Sequence, residues 1–297
     1  MCIILAGNEK ETNMPKILTE TQVAGYHEKG YAFPFSAMCA EDARKYRDKL
    51  QAHEAQIGGK LTELGGSARF KNQLLLTWVN DLVKHPTILD AVEDIIGPNI
   101  MCYTSTFFIK EPNSPAIAGW HQDSTYFGLR PHEHITAWLA LSESTADSGC
   151  LEFLPKNLRQ LKHQENAMEH SVNGGKQKII EGFDSKNAIL APIEAGSFSL
   201  HNTLCIHRSA PNNSSDRRIG IGISYIPTQV RCIGSQRMYA MLVRGQDSYG
   251  HFDLEPSPKS DLDADAQAAH DAVYKRYREN YNEQLDWHKT GRSVPDS

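Results

Sequence analysis

Met101-Cys102-Tyr103-Thr104-Ser105-Thr106-Phe107-Phe108-Ile109 is the stretch on which the fold turns. Rich in aromatic and β-branched residues, it reads as a strand. The first third of the chain, ahead of it, is helical in period. Ala40 to Gln56 carries Ala43, Tyr46, Leu50 and His53 at steps of three or four and stops at Gly58-Gly59. Leu74 to Lys84 and Pro86 to Ile96 predict two further helices, the second begun by Pro86 and closed by Gly97-Pro98. Behind the quoted stretch come short strands at Ile135 to Leu141, Leu151 to Leu154, Ser197 to Leu200 and Arg218 to Tyr225. In Ile219-Gly220-Ile221-Gly222-Ile223, bulky and absent side chains alternate, which suits a strand with one crowded face or one close to a ligand. Short strands spaced in this way predict a mainly β sandwich or barrel rather than a βαβ fold.

A last amphipathic helix is expected over Asp265 to Leu285, with Ala269, Val273, Tyr277 and Tyr281 on one side. A Ser/Pro/Asp-rich stretch from Pro256 separates it from the body. The expected organisation is therefore one domain over residues 15–255, helical at its front, with a linker and helix at 256–297 packing on the same domain. Met14 reads as an alternative start, which would make the first thirteen residues a disordered extension, and residues 1–14 are expected to lie outside the domain. The surroundings of Asn173-Gly174-Gly175-Lys176 predict a long polar loop of the kind that covers a site.

The net charge of -5, without a basic block, argues against nucleic acid as a partner. Apolar runs are too short to span a bilayer, so no membrane partner is expected. Cys2, Cys39, Cys102, Cys150, Cys205 and Cys232 are scattered, without a C-x-x-C pair, which fits a reducing, cytoplasmic setting. A monomer or homodimer acting on a small molecule is the expectation.

The chemistry is carried by Trp120-His121-Gln122-Asp123-Ser124. In extended chain, residues i and i+2 leave the same face, so His121 and Asp123 can point at one spot while Gln122 points away. An imidazole and a carboxylate are two thirds of a metal site, and two histidines with one carboxylate are the ligands of non-heme Fe(II) oxygenases. His201 and His207 are the candidates for the third ligand. His207 is the better placed, because the polar segment after it would let a hairpin return Arg218 beside it on the neighbouring strand. A guanidinium there suits a dicarboxylate whose keto-acid end chelates the metal, and Ser209 could add a hydroxyl. Arg217 reads as an exposed turn residue. The other histidines read as surface or packing residues.

These stretches resemble the phytanoyl-CoA dioxygenase family of Fe(II)/2-oxoglutarate-dependent oxygenases, especially its bacterial small-molecule members. The resemblance is carried by Gly119 to Gly128, Thr136 to Leu141, Asp147-Ser148-Gly149-Cys150-Leu151, and His207 to Asn212 through Arg217-Arg218. The opening Leu18 to Val23, with Tyr26 and Gly30-Tyr31, is similar to the family's N-terminal helix. The resemblance implies a double-stranded β-helix (a jelly roll, cupin-like) flanked by helices. It implies an iron triad of His121, Asp123 and His207, and Arg218 as anchor for 2-oxoglutarate. Gln122, Trp138, Ser209 and Lys110 would line the co-substrate pocket. With O2 as second co-substrate, an aliphatic C–H would be hydroxylated and succinate and CO2 released. Asp123 favours hydroxylation over halogenation, since related halogenases replace that carboxylate by Gly or Ala. Tyr103, Ser105, Phe107, Tyr126, Phe127, Arg130 and Asn202 are the expected substrate contacts, and their polarity suits an amino-acid-like or phosphonate-like compound. Nothing suggests a coenzyme A site. Two alternatives stay open: the same centre diverted to desaturation, cyclisation or epimerisation, and a non-catalytic jelly-roll binding protein.

Overall fold

The computed structural model describes residues 16–156, 158–161, 163–165, 177–179 and 182–290. The expected extension at 1–14 and the polar loop around 173–176 lie outside the described residues. Strands and helices are numbered in chain order. One sheet has seven strands in the order β1 (Tyr31–Ser36), β10 (Ser197–Asn202), β5 (Ile135–Ala140), β12 (Arg218–Pro227), β2 (Ile100–Lys110), β14 (Tyr239–Arg244), β15 (Asp253–Leu254). A four-stranded sheet has the order β3 (Ala118–His121), β11 (Ile206–Ser209), β6 (Leu151–Leu154), β9 (Ile189–Ala191). Two small ladders pair β13 (Arg231–Cys232) with β4 (Leu129–Arg130) and β7 (His163–Glu165) with β8 (Gln177–Ile179). All pairings are antiparallel except β14 with β15. Two antiparallel sheets closing over a common interior make the double-stranded β-helix that the sequence led us to expect.

The helices are α1 (Glu20–Lys29), α2 (Ala40–Gln56), α3 (Gly66–Arg69), α4 (Thr77–Val83), α5 (Pro86–Ile96), α6 (Ser124–Phe127) and α7 (Ala264–Thr290). Thr19 opens α1 with a capping box closed by Gln22, and Gly30 ends it in the left-handed region at φ 87°. The expected helix over Leu74 to Lys84 is shorter: a 3-10 turn at Asn72–Leu74 precedes α4.

Period-two alternation divides the large sheet. Ile135, Ala137 and Leu139, with Ile219, Ile221 and Ile223, and with Phe107 and Ile109, pack against Leu50, Trp78, Val79, Leu82, Ile88 and Val92 of the helices. Burying each large aliphatic side chain is worth about 1.5–3 kcal/mol, so this core holds the short helices to the sheet. The opposite face looks into the sandwich, where Trp138, Ala140, Leu151, Phe153, Ala191 and Ile193 form a smaller core. A third cluster, including Tyr103, Tyr126, Phe127, Phe252 and Tyr281, lies beneath α7.

The hairpin expected between His207 and Arg218 does not form. β11 pairs with β3 and β6, whereas β12 pairs with β2 and β5, so the chain crosses between sheets. Fully buried Asn212 holds that crossing: its Nδ2 donates to the carbonyls of Lys110, Glu111 and Asp216 at 3.2, 2.9 and 2.8 Å. Arg217 is no exposed turn residue. It is bonded to Glu54 at 2.8 and 2.9 Å and to Glu111 at 2.9 Å, on the helix side.

Candidate metal and co-substrate site

His121 ends β3 and lies in register with His207 on β11, their ring centroids 4.1 Å apart. Asp123 reaches them by a different route from the one expected. The strand stops at His121, and Asp123 has helical dihedrals (φ -65°, ψ -32°) at the entry to α6. One donor atom from each of the three residues falls within 4.8 Å of the others. Asp123 Oδ1 is 3.6 Å from His121 Nε2 and 3.8 Å from His207 Nε2. Both imidazoles are set by backbone. His121 Nδ1 lies 2.8 Å from Gly119 O, and His207 Nδ1 lies 3.0 Å from Cys205 O. A proton on each Nδ1 leaves the Nε2 lone pairs facing the carboxylate.

Burial is the main reason both histidines stay neutral. Together with a neighbouring imidazole (His207 for His121, His201 for His207), it lowers each pKa to about 4. Burial alone would raise the Asp123 pKa, but His207, His201 and His121 outweigh it and hold the carboxyl below its usual range. Two neutral nitrogen donors and one carboxylate fit a divalent iron in ligand type and number.

Two residues that the sequence reading passed over complete the surroundings. Thr136 Oγ1 donates to Asp123 Oδ2 at 3.1 Å, which leaves Oδ1 for the centre. His201, set aside in favour of His207, is 2% exposed, has Nε2 3.5 Å from Asp123 Oδ2, and has no hydrogen-bond partner for either ring nitrogen among the described residues. Its signal was its place on a strand beside β5, since β10 pairs His201 with Thr136.

A cavity of about 50 Å³ runs from this cluster to Arg218 and is also lined by Trp138, Ser209, Leu151 and Phe108. Arg218 is 2% exposed, and burial lowers its pKa to about 10. Its guanidinium lies 5.2 Å from the Trp138 ring, donates from Nη1 to Gly149 O at 3.2 Å, and has no carboxylate partner among the described residues. Gly149 is needed there: at φ 72°, a Cβ would come within 2.2 Å of Ala210 O. Lys110, paired with Arg218 across the sheet, donates to Ser209 Oγ at 2.8 Å and to Ala210 O. Burial, aided by Arg218, lowers its pKa to about 7. Gln122 points away from the cluster, but neither it nor Lys110 lines this cavity, where the resemblance implied a place in the co-substrate pocket for both; the Gln122 amide donates to Arg159 O and Leu204 O and accepts from Leu161 N.

A second cavity, about 160 Å³, meets the first at His121, Asp123, Thr136 and Phe108. Tyr126 and Phe127 line it, as expected of substrate contacts, but the other five predicted residues do not. Ser105 and Phe107 stand on the helix side of β2, bonded to Gln73 and packed on Trp78. The inward residues are their neighbours Thr104, Thr106 and Phe108. Tyr103 falls at a register shift in β2 and packs edge-on to Phe127. Arg130 donates to Leu129 O, and Asn202 is held by His132 O and Leu204 N. What replaces them comes largely from α7: Tyr274, Tyr277, Arg278 and Tyr281, joined by Arg69 of α3.

A chain with this jelly roll and this two-histidine, one-aspartate cluster has the make-up of a non-heme iron oxygenase. The model of the phytanoyl-CoA dioxygenase (PhyH) family matches residues 26–220, and the chain belongs to that family. A relative from Stutzerimonas stutzeri, named "Probable alpha-ketoglutarate-dependent hypophosphite dioxygenase", is 25% identical over 221 residues, 67% of this chain and 76% of its own length. A methylphosphonate hydroxylase of Gimesia maris is 25% identical over 148 residues, half of this chain and 53% of its own. Among solved structures, the non-heme monooxygenase ThoJ in its apo form superposes with a TM-score of 0.78 at 27% identity, covering 89% of this chain and 99% of that one. The protein is an Fe(II)/2-oxoglutarate-dependent dioxygenase, using Fe(II), 2-oxoglutarate and O2.

Proposed function

We propose that this dioxygenase hydroxylates an aliphatic C–H of a small polar molecule held in the larger cavity. His121, Asp123 and His207 would hold the iron, and Arg218 the distal carboxylate of 2-oxoglutarate. The observation that carries this reading is Arg218: a buried guanidinium without a carboxylate partner among the described residues, opening on the cavity that contains the histidine and aspartate donors. A buried charge left unpaired is costly, and a dicarboxylate reaching from the metal supplies its partner. Ser209 borders the same end and adds a hydroxyl, itself held by a hydrogen bond from Lys110 Nζ. Trp138 gives the guanidinium a flat apolar support and limits water around it. When bound, iron with 2-oxoglutarate and O2 supplies the oxidising power for C–H hydroxylation, with succinate and CO2 as by-products. Thr136 keeps the second oxygen of Asp123 occupied, so that its first oxygen stays directed at the two imidazoles. The intact aspartate supports oxygen transfer over halogenation.

The test is spectroscopic and then chemical. Under anaerobic conditions, Fe(II) and 2-oxoglutarate added together should give a visible charge-transfer band that neither gives alone. Air should then produce succinate, and a panel of small acids and amino acids should accelerate it. Absence of the band from folded protein sinks the reading.

A further inference from the structure

We propose that the larger cavity is built for an organic oxyanion, an acid group on an apolar body, with the acid held by Arg69 and Arg278. This rests on the preceding assignment of the neighbouring cavity to the co-substrate and names the substrate class. Arg69 comes from α3 and Arg278 from α7, so the two guanidinium groups reach the cavity from separate elements. Both are half-buried, and among the described residues neither has a hydrogen-bond or ion-pair partner. Most other half-buried arginines are satisfied: Arg217 by Glu54 and Glu111, Arg244 by Asp90 and Glu93, Arg276 by Asp253. Among the described residues Asp123 is the one carboxylate in the lining, and it belongs to the candidate metal cluster.

A second observation points to a polar ligand in the same place. Tyr126 and Tyr281 stack with ring centroids 5.3 Å apart and planes 3° from parallel. They are 6% and 4% exposed, both line the cavity, and neither hydroxyl has a partner among the described residues. Two phenol donors and two guanidinium groups around aromatic walls call for several acceptor oxygens on one end of a ligand and hydrocarbon on the rest. Carboxylates, phosphonates and sulfonates share that chemistry; amines and neutral amides do not.

The experiment uses the full-length protein with Fe(II) and 2-oxoglutarate, anaerobically, reading the shift of the charge-transfer band. The probes are 3-phenylpropionate, benzylphosphonate and benzylsulfonate, each against its neutral amide, and 3-phenylpropylamine. At least one acid should bind about tenfold or more tightly than its amide, the size of one charge-assisted hydrogen bond. Arg69→Gln and Arg278→Gln should together abolish that preference while 2-oxoglutarate affinity holds. Equal binding of acid and amide, preference for the amine, or binding of no acid overturns the proposal; the wild-type ratios decide this even if a variant fails to fold. Loss of the band itself would instead strike the co-substrate assignment, and calorimetry of acid against amide would still settle the oxyanion question.

Discussion

Arg218 shows how a single residue declares its ligand. It is long, charged and buried, and the described residues offer it a backbone carbonyl and an indole face but no acid. Arg218→Ala should therefore raise the 2-oxoglutarate KM by about 10- to 100-fold, since charge-assisted bonds of about 1.5–3 kcal/mol are lost. Iron affinity without co-substrate should stay near normal, and a KM within a factor of two of wild type would remove Arg218 as anchor. Arg217 cannot substitute, being tied to Glu54 and Glu111. Sequence made the difference between these adjacent arginines visible only through family resemblance. Spacing alone suggested a hairpin, and the actual crossing depends on Asn212, whose three carbonyl partners lie up to 102 positions away.

Among the elements, β2 and β12 explain what was legible and what was not. The strands stand close to where their composition placed them, because β-branched and aromatic runs bounded by turn residues leave few other readings. Which face looks inward was not legible for β2. Nearly every residue of the strand is buried, so polarity does not alternate, and a register shift at Tyr103 breaks the parity. Taking Ser105 and Phe107 as substrate contacts was a slip of one residue onto the wrong face. The alternation in β12 was legible, and its glycines make space for side chains of the site: a Cβ on Gly220 would come within 2.0 Å of Trp138 Cζ2, and one on Gly222 within 2.8 Å of Phe108 Cε2. Gly220→Ala should lower stability by about 1–3 kcal/mol through overpacking and, by displacing the indole beneath Arg218, weaken 2-oxoglutarate binding. Thermal melts and titration of the charge-transfer band check both. A variant as stable and as tight as wild type would show that Trp138 has room to move.

For the molecule as a whole, the buried histidines set the response to acid. His121, His134 and His207 have pKa values near 4 against an ordinary 6.5, with burial the leading cause. Between these values the unfolded chain binds protons that the folded chain refuses, so stability rises with pH across that window and is lost as pH falls through it. Each histidine contributes on the order of 3 kcal/mol to that loss. Metal-free protein should therefore melt at progressively lower temperature from about pH 6.5 towards pH 4. Added Fe(II) or another divalent ion should delay the fall, because it competes with protons for the same lone pairs. A melting temperature flat over this range would mean that the three rings are more hydrated than their packing shows.

The family match ends at residue 220, and α7 begins at Ala264. The residues proposed to hold iron and 2-oxoglutarate lie on the near side of that boundary, as do Arg69, Tyr126 and Phe127, whereas Tyr274, Tyr277, Arg278 and Tyr281 lie beyond it. The proposed oxidising centre thus lies wholly within the family match, while the wall of the larger cavity is shared between that match and a helix beyond it. Exchange of α7 should redraw one wall of the cavity and leave the other standing, so a graft of that helix is expected to shift the range of acceptable molecules rather than replace it.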